Sequence, residues 1–198
     1  MAKETKNWFQ QNPGRTAIGA IVLLVLILVM WIGGTYNSLI TLQINAENSW
    51  AQVETSYQRR LDLIPNLVAT VKGVAEFEQE TFEKITQARS GWTQAGNIND
   101  KIAAANQMES ALARLLVVAE NYPQLKANQN FLALQDELAN TENKIAVERK
   151  RYNDAVRAYT VKTKTFPSVM IANMFGFEQM NYFESAQGAE NAPTVDFG

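Results

Sequence analysis

Hydrophobic positions follow two regimes along the chain. From Ala17 to Gly34 (AIGAIVLLVLILVMWIGG) they are almost continuous, and no charged residue occurs between Arg15 and Glu47. At about 1.5 Å per helical residue this run covers roughly 27 Å, against a hydrocarbon core of about 30 Å. Within lipid, a single segment satisfies its backbone N–H and C=O groups only as a helix. The pattern therefore predicts a single-pass membrane anchor over residues 16–35, after a short polar segment, 1–15. Asn12, Pro13, Gly14 and Arg15 read as a turn and Thr16 as the N-cap. A cleaved signal peptide is the competing reading. It would show an apolar run of about 7–15 residues and a small-residue cleavage site. The longer run here, followed by Gly33, Gly34, Thr35, Tyr36 and Asn37, favours an uncleaved anchor.

Beyond the anchor the apolar residues recur in steps of three and four, the spacing of one helical face. One such row runs through Tyr36, Leu39, Trp50, Val53, Tyr57, Leu61, Ile64, Leu67, Val71, Phe82 and Ile85, and Ser90 and Gly91 are expected to stop it. Pro65 falls inside this row. It removes a donor and crowds the carbonyl of Leu61, but the unbroken phase favours a kink over a reversal. A loop is expected over Trp92–Asp100, with Asp100 capping a second helix on Ile102, Ala105, Met108, Leu112, Leu115, Leu116 and Ala119. A third helix starts near Asn128 or Asn130. Its clean row is Phe131, Leu138, Ile145, Tyr152 and Tyr159, whereas the companion row, Leu134, Thr141, Glu148 and Ala155, is mostly polar or small. One good row suits a bundle helix better than a strict coiled coil. Thr165, Phe166 and Pro167 end it, and Ser168 is expected to cap a short apolar piece, Val169–Phe175. With no strand signals, the fold class is all-α: an up-and-down antiparallel helical bundle with long helices over residues 36–184, behind the transmembrane helix. Residues 185–198 are small and acidic, the composition of a disordered tail.

Charge and composition narrow the chemistry. The net charge of −2 gives no bulk attraction to nucleic acid, and no nucleic-acid partner is expected. The chain has no cysteine and no histidine. That excludes disulfides and thiol catalysis, and removes the commonest general base and transition-metal ligand. Lys3, Lys6 and Arg15 precede the span and no Lys or Arg follows until Arg59. This asymmetry predicts the amino terminus in the cytoplasm and the bundle outside it.

The residues also resemble a family. Arg60-Leu61-Asp62-Leu63-Ile64-Pro65-Asn66-Leu67-Val68, Arg114-Leu115-Leu116, Glu120-Asn121-Tyr122-Pro123, Asn130-Phe131-Leu132, Tyr152-Asn153, Phe166-Pro167 and Tyr182-Phe183-Glu184 run in order over most of the chain. Together they resemble the LemA family of bacterial membrane proteins. The resemblance implies an amino-terminal anchor followed by an up-and-down helical bundle, and it implies no reaction. Some descriptions of the family place the amino terminus outside the cell, against the charge argument.

Several constellations have both a local and a functional reading. Arg60, Asp62, Pro65 and Asn66 form either a partner-binding notch or a set of caps for groups freed by Pro65. Glu76, Glu78, Glu80 and Glu83 could bind a hard cation, but the glycine-turned loop of a calcium site is missing and a solvated face is expected. Basic residues around Arg149 either favour the helix C-terminus or dock to an anionic surface. Trp50, Tyr57, Phe77, Phe131, Tyr152 and Tyr159 read as core. Arg89, Arg114, Gln135, Thr141, Glu142 and Glu148 lie on or near core rows, where buried polar groups must be paired. They form either interhelical register or a polar seam for a partner. No cofactor, metal or catalytic residue is expected. The leading hypothesis is a membrane-tethered, non-enzymatic helical scaffold of the bacterial envelope whose partners are the lipid bilayer and itself or other envelope membrane proteins. The alternatives are a membrane-organising protein acting through homo-oligomerisation, and a carboxylate-dependent enzyme.

Overall fold

The computed structural model describes residues 13–72, 79–119 and 121–184, and all the regular structure among them is helical. Helix α1 is Pro13–Lys72, α2 Gln79–Gln94, α3 Ile98–Ala119, α4 Pro123–Lys126, α5 Gln129–Lys164 and α6 Ser168–Met174. Two compact units are built from them. One holds residues 13–44 and 158–179, the other residues 45–157 and 180–184.

In the larger unit four helices alternate in direction. Lys72 of α1 lies over the Phe82 ring and Tyr57 packs on Trp92 at 4.6 Å, so α2 runs back along α1. On α5, Glu142, Arg149 and Tyr152 meet Arg60, Tyr57 and Trp50 of α1 in descending order, which is antiparallel pairing. The α1 row Trp50, Val53, Tyr57, Leu61, Ile64, Leu67 and Val71 is buried, as are Ile102, Ala105, Met108, Leu112, Leu115 and Ala119 of α3. On α5, Phe131, Leu138, Ile145 and Tyr152 are buried, together with the companion-row Thr141 and Glu148. Thr141 satisfies its hydroxyl on the Leu138 carbonyl at 2.8 Å, and Glu148 accepts from Arg151 at 2.9 Å. Thr141 thus finds its partner within a turn of its own helix, whereas Glu148 does so with one oxygen only, its Oε2 being buried without a hydrogen bond among the described residues.

Several boundaries differ from the sequence expectations. Helix α1 begins at Pro13, not after a turn capped by Thr16, because proline suits the first helical position, where its missing N–H costs nothing. The same helix passes through Pro65 and closes at Lys72. Helix α2, from Gln79, runs back along α1, where one unbroken apolar row is expected from the sequence. Ser90 and Gly91 do not stop α2, which continues to Gln94. Trp92 is consequently a buried helical residue and not part of a loop. The cap of α3 is Asn97, not Asp100. Asn97 Oδ1 accepts from the Asp100 backbone N–H at 2.9 Å, and its amide donates to the Asp100 carboxylate at 2.7 Å. The first bond is the ordinary N-cap contact to the third helical N–H, and the second ties the two side chains together. Of the two starts expected for α5, Asn128 is the cap, accepting from the N–H groups of Asn130 and Phe131. Short α4, not anticipated, buries Leu125 in the turn between α3 and α5.

In the smaller unit, α6 packs Ile171 and Ala172 against Leu39, with Ile32 and Phe177 beside them. Ser168 does not cap α6; its hydroxyl donates to the carbonyls of Lys162 and Thr165, and Pro167 takes the cap position. The Phe166–Pro167 peptide is cis. Gly176, at φ +71°, ends α6, and the Phe177 N–H reaches back to the Ala172 carbonyl. That left-handed position is the one glycine adopts at least cost. Tyr159, the last of the clean α5 row, is buried and donates to the Glu178 carbonyl at 2.8 Å. Residues 18–30 of α1 expose their large apolar side chains, from Leu28 at 49% to Met30 at 77%. The helix is long and apolar enough there to cross a membrane.

Candidate functional site

Two arginines lie between acidic partners inside the larger unit. Tyr57 and Arg60 stand one turn apart on α1, Glu109 projects from α3, and Glu142 and Arg149 lie two turns apart on α5. The Arg60 side chain is only 3% exposed and hydrogen-bonds Glu142, with Glu109 at 3.9 Å. Glu109 accepts from the Tyr57 hydroxyl at 2.6 Å and pairs with Arg149, which also donates to the Tyr57 oxygen. A buried guanidinium is tolerated only when paired in this way. Burial drives the Tyr57 hydroxyl well above the ordinary tyrosine range, although Arg149 and Arg60 pull it down. Burial likewise lowers the Arg149 guanidinium, against the favourable field of Tyr57. Both effects follow from the burial of these two side chains.

An aromatic wall borders this network. Arg149 lies 4.2 Å over the Phe183 ring, and Phe183 stacks on Tyr57 at 6.2 Å with 9° between the planes. Residues 180–184 are non-helical and run along α5. Tyr152 donates to the Asn181 carbonyl, while Asn153 donates to the Phe183 carbonyl and accepts its N–H. Asn181 also donates to Asn99 beside the start of α3. Beyond Phe183, towards the amino end of α5, an open groove of about 590 Å³ lies between α3 and α5. Arg60, Glu109, Gln135, Asp136 and Glu142 supply its polar groups and Leu112, Ala113, Leu116, Leu138 and Ala139 its apolar wall. The Arg60 Nε is buried and makes no hydrogen bond among the described residues.

The sequence candidates divide. Arg60, Gln135 and Glu142 meet at this groove, with Arg149 in the adjoining network. Tyr152 belongs to the neighbouring aromatic cluster, 5.2 Å from Trp50. Asp62, Pro65 and Asn66 lie exposed on α1. Asp62 accepts from Gln58 at 3.0 Å and does not cap the backbone around Pro65. Arg89 and Arg114 are exposed, contrary to a place in a buried seam; Arg114 stands 3.9 Å from Glu80. Tyr159 lies in the smaller unit. Glu80 pairs with Lys84 at 2.5 Å, which holds its carboxyl below the usual range; Glu76, Glu78 and Phe77 lie outside the described residues. Glu109 and Asn153 were not singled out. Glu109 follows the core residue Met108 and carries no pattern signal of its own. Phe183 and Asn153 are marked only by the family resemblance, which quotes Tyr152-Asn153 and Tyr182-Phe183-Glu184.

Known proteins are similar to this chain along most of its length. Magnetosome protein MamQ 2 of Paramagnetospirillum magneticum is 23% identical, over 93% of this chain and 77% of its own. Magnetosome protein MamQ of Magnetospirillum gryphiswaldense is also 23% identical, over 88% of this chain and 76% of its own. Protein LemA of Metamycoplasma hominis is 27% identical, over 78% of this chain and 71% of its own. A family model described as the LemA family matches residues 49–197. With the anchor-like helix and the bundle that follows it, that match over three-quarters of the sequence means that the chain belongs to the LemA family.

Proposed function

We propose that this protein is a membrane-tethered, non-enzymatic interaction module of the bacterial envelope. In this reading α1 anchors the chain, the amino terminus faces the cytoplasm, and the bundle stands outside it. The α3–α5 groove receives an extended segment of another envelope protein. The observation that carries the reading is the path of residues 180–184. There the bundle already holds a non-helical segment by Asn153 and Tyr152, with Phe183 in the core. The open groove lies farther towards the amino end of α5, with leucines for alternate side chains and Gln135, Asp136 and Glu142 to meet a polar backbone. Hot-spot binding of this kind needs a concave apolar floor with a few polar groups.

A photo-cross-linking amino acid at Gln135 in the full-length chain tests it in native membranes. The expected result is a discrete adduct to a second protein, lost when Leu116→Glu charges the groove. Adducts only to the chain itself would favour homo-oligomerisation. Labelling that Leu116→Glu leaves unchanged would remove the groove from the account.

A further inference from the structure

We infer that α6 and the turn before it form a second membrane contact, a wedge that enters the bilayer interface beside the chain's own anchor. The inference rests on the reading of α1 as a membrane anchor. A hydrocarbon core of about 30 Å takes roughly 20 helical residues. Counted from Thr16, directly after Arg15, the far boundary falls at about Tyr36. Phe175 and Phe177 touch the Tyr36 ring there, at centroid distances of 4.8 and 5.7 Å. One turn deeper, Ile32 packs against the cluster that Ile171 and Ala172 make with Leu39. The inner face of α6 thus sits at the depth where hydrocarbon gives way to headgroups.

The opposite face is apolar and uncovered. Phe166, Met170 and Met174 recur every four residues and are 80%, 62% and 61% exposed. No charged residue occurs from Thr165 to Phe177. Water is a poor solvent for such a patch, and exposed clusters of this kind mark contact surfaces. Lys162 and Lys164 directly precede it, placed for anionic headgroups. An apolar face flanked by lysines and contiguous with a spanning helix fits one occupant, the lipid interface.

The absence of cysteine makes single-site labelling direct. Full-length Met170→Cys, Met174→Cys, Leu26→Cys and Gln58→Cys chains carry nitroxide labels in vesicles of phosphatidylethanolamine and phosphatidylglycerol. Collision with oxygen, which partitions into lipid, is compared with collision with a water-soluble nickel chelate. Labels at 170 and 174 are expected to favour oxygen severalfold over the label at 58, alongside the label at 26. Lipid exposure at 26 with water exposure at 170 and 174 would overturn the wedge and leave the anchor standing. Water exposure at 26 would remove the anchor reading itself. Spin–spin broadening at 170 and 174 that vanishes on dilution with unlabelled chain would put a second copy on this face and overturn the lipid assignment.

Discussion

Glu109 is the residue on which the buried charges depend. It faces two guanidiniums and a tyrosine hydroxyl, and its removal leaves Arg60 and Arg149 without their shared carboxylate. Breaking a buried pair from one side costs about 3–5 kcal/mol, more than replacing the buried charge by an apolar group of similar shape. Glu109→Ala is therefore expected to lower stability by that amount, and Arg60→Met by less, in denaturant unfolding of the full-length chain. A reversed order would show that the network does not hold charge away from water. Tyr152 gives a pH test. Burial pushes its hydroxyl up to about 12, and Tyr57 is raised as well. A group whose folded pKa lies above its unfolded value of about 10 contributes fully below that pH. Its contribution then fades as the pH rises towards the folded value. Thermal stability should fall as the pH is raised from about 10 towards about 12, and Tyr152→Phe should show a shallower fall than the native chain. At neutral pH the same substitution loses the bond to the Asn181 carbonyl, worth about 0.5–1.5 kcal/mol.

Each helix carries its own start and stop signals, and their legibility varied with whether the signal is local. Asn128 before α5 reads correctly because its side chain bonds its own next turn. Asn128→Ala is expected to cost about 1 kcal/mol in thermal unfolding, as typical N-caps do. The α5 row from Phe131 to Tyr159 was legible because burial follows helical period directly. Ser90 and Gly91 misled because propensity is a weak prior: Trp92 beyond them fills the core against Tyr57, and that packing outweighs a glycine. The antiparallel course of α2 was hidden because its apolar residues continue the phase of α1. Pro65 lies exposed in a helix that continues past it. Pro65→Ala restores a donor there and is expected to raise the melting temperature; a lower one would mean that the proline itself is needed for packing. Residues 180–184 have no period to read, and only their partners reveal them. Phe183→Ala is expected to cost about 3–5 kcal/mol and to speed proteolysis after Phe177, seen by mass spectrometry of the cleaved chain.

On the scale of the whole molecule, two kinds of hydrophobic surface serve two solvents. The bundle rows are buried by protein, whereas residues 18–30 present comparable side chains that no part of the described chain covers. Fully burying one Leu, Ile or Val is worth about 1.5–3 kcal/mol, so the run has a large drive towards lipid. The long apolar helix and the all-α class were readable from the sequence because both follow from uninterrupted local pattern. The groove was not, because it arises where Arg60, Leu112 and Gln135, far apart in sequence, meet across three helices. The account stands on α1 holding the bundle at a bilayer. Alkaline carbonate extraction of native membranes tests this most directly, with the full chain compared against a chain lacking residues 17–34 that is shown to be folded by circular dichroism. The full chain should remain in the membrane pellet and the shortened one should move to the supernatant. Release of the full chain into the supernatant would contradict the account.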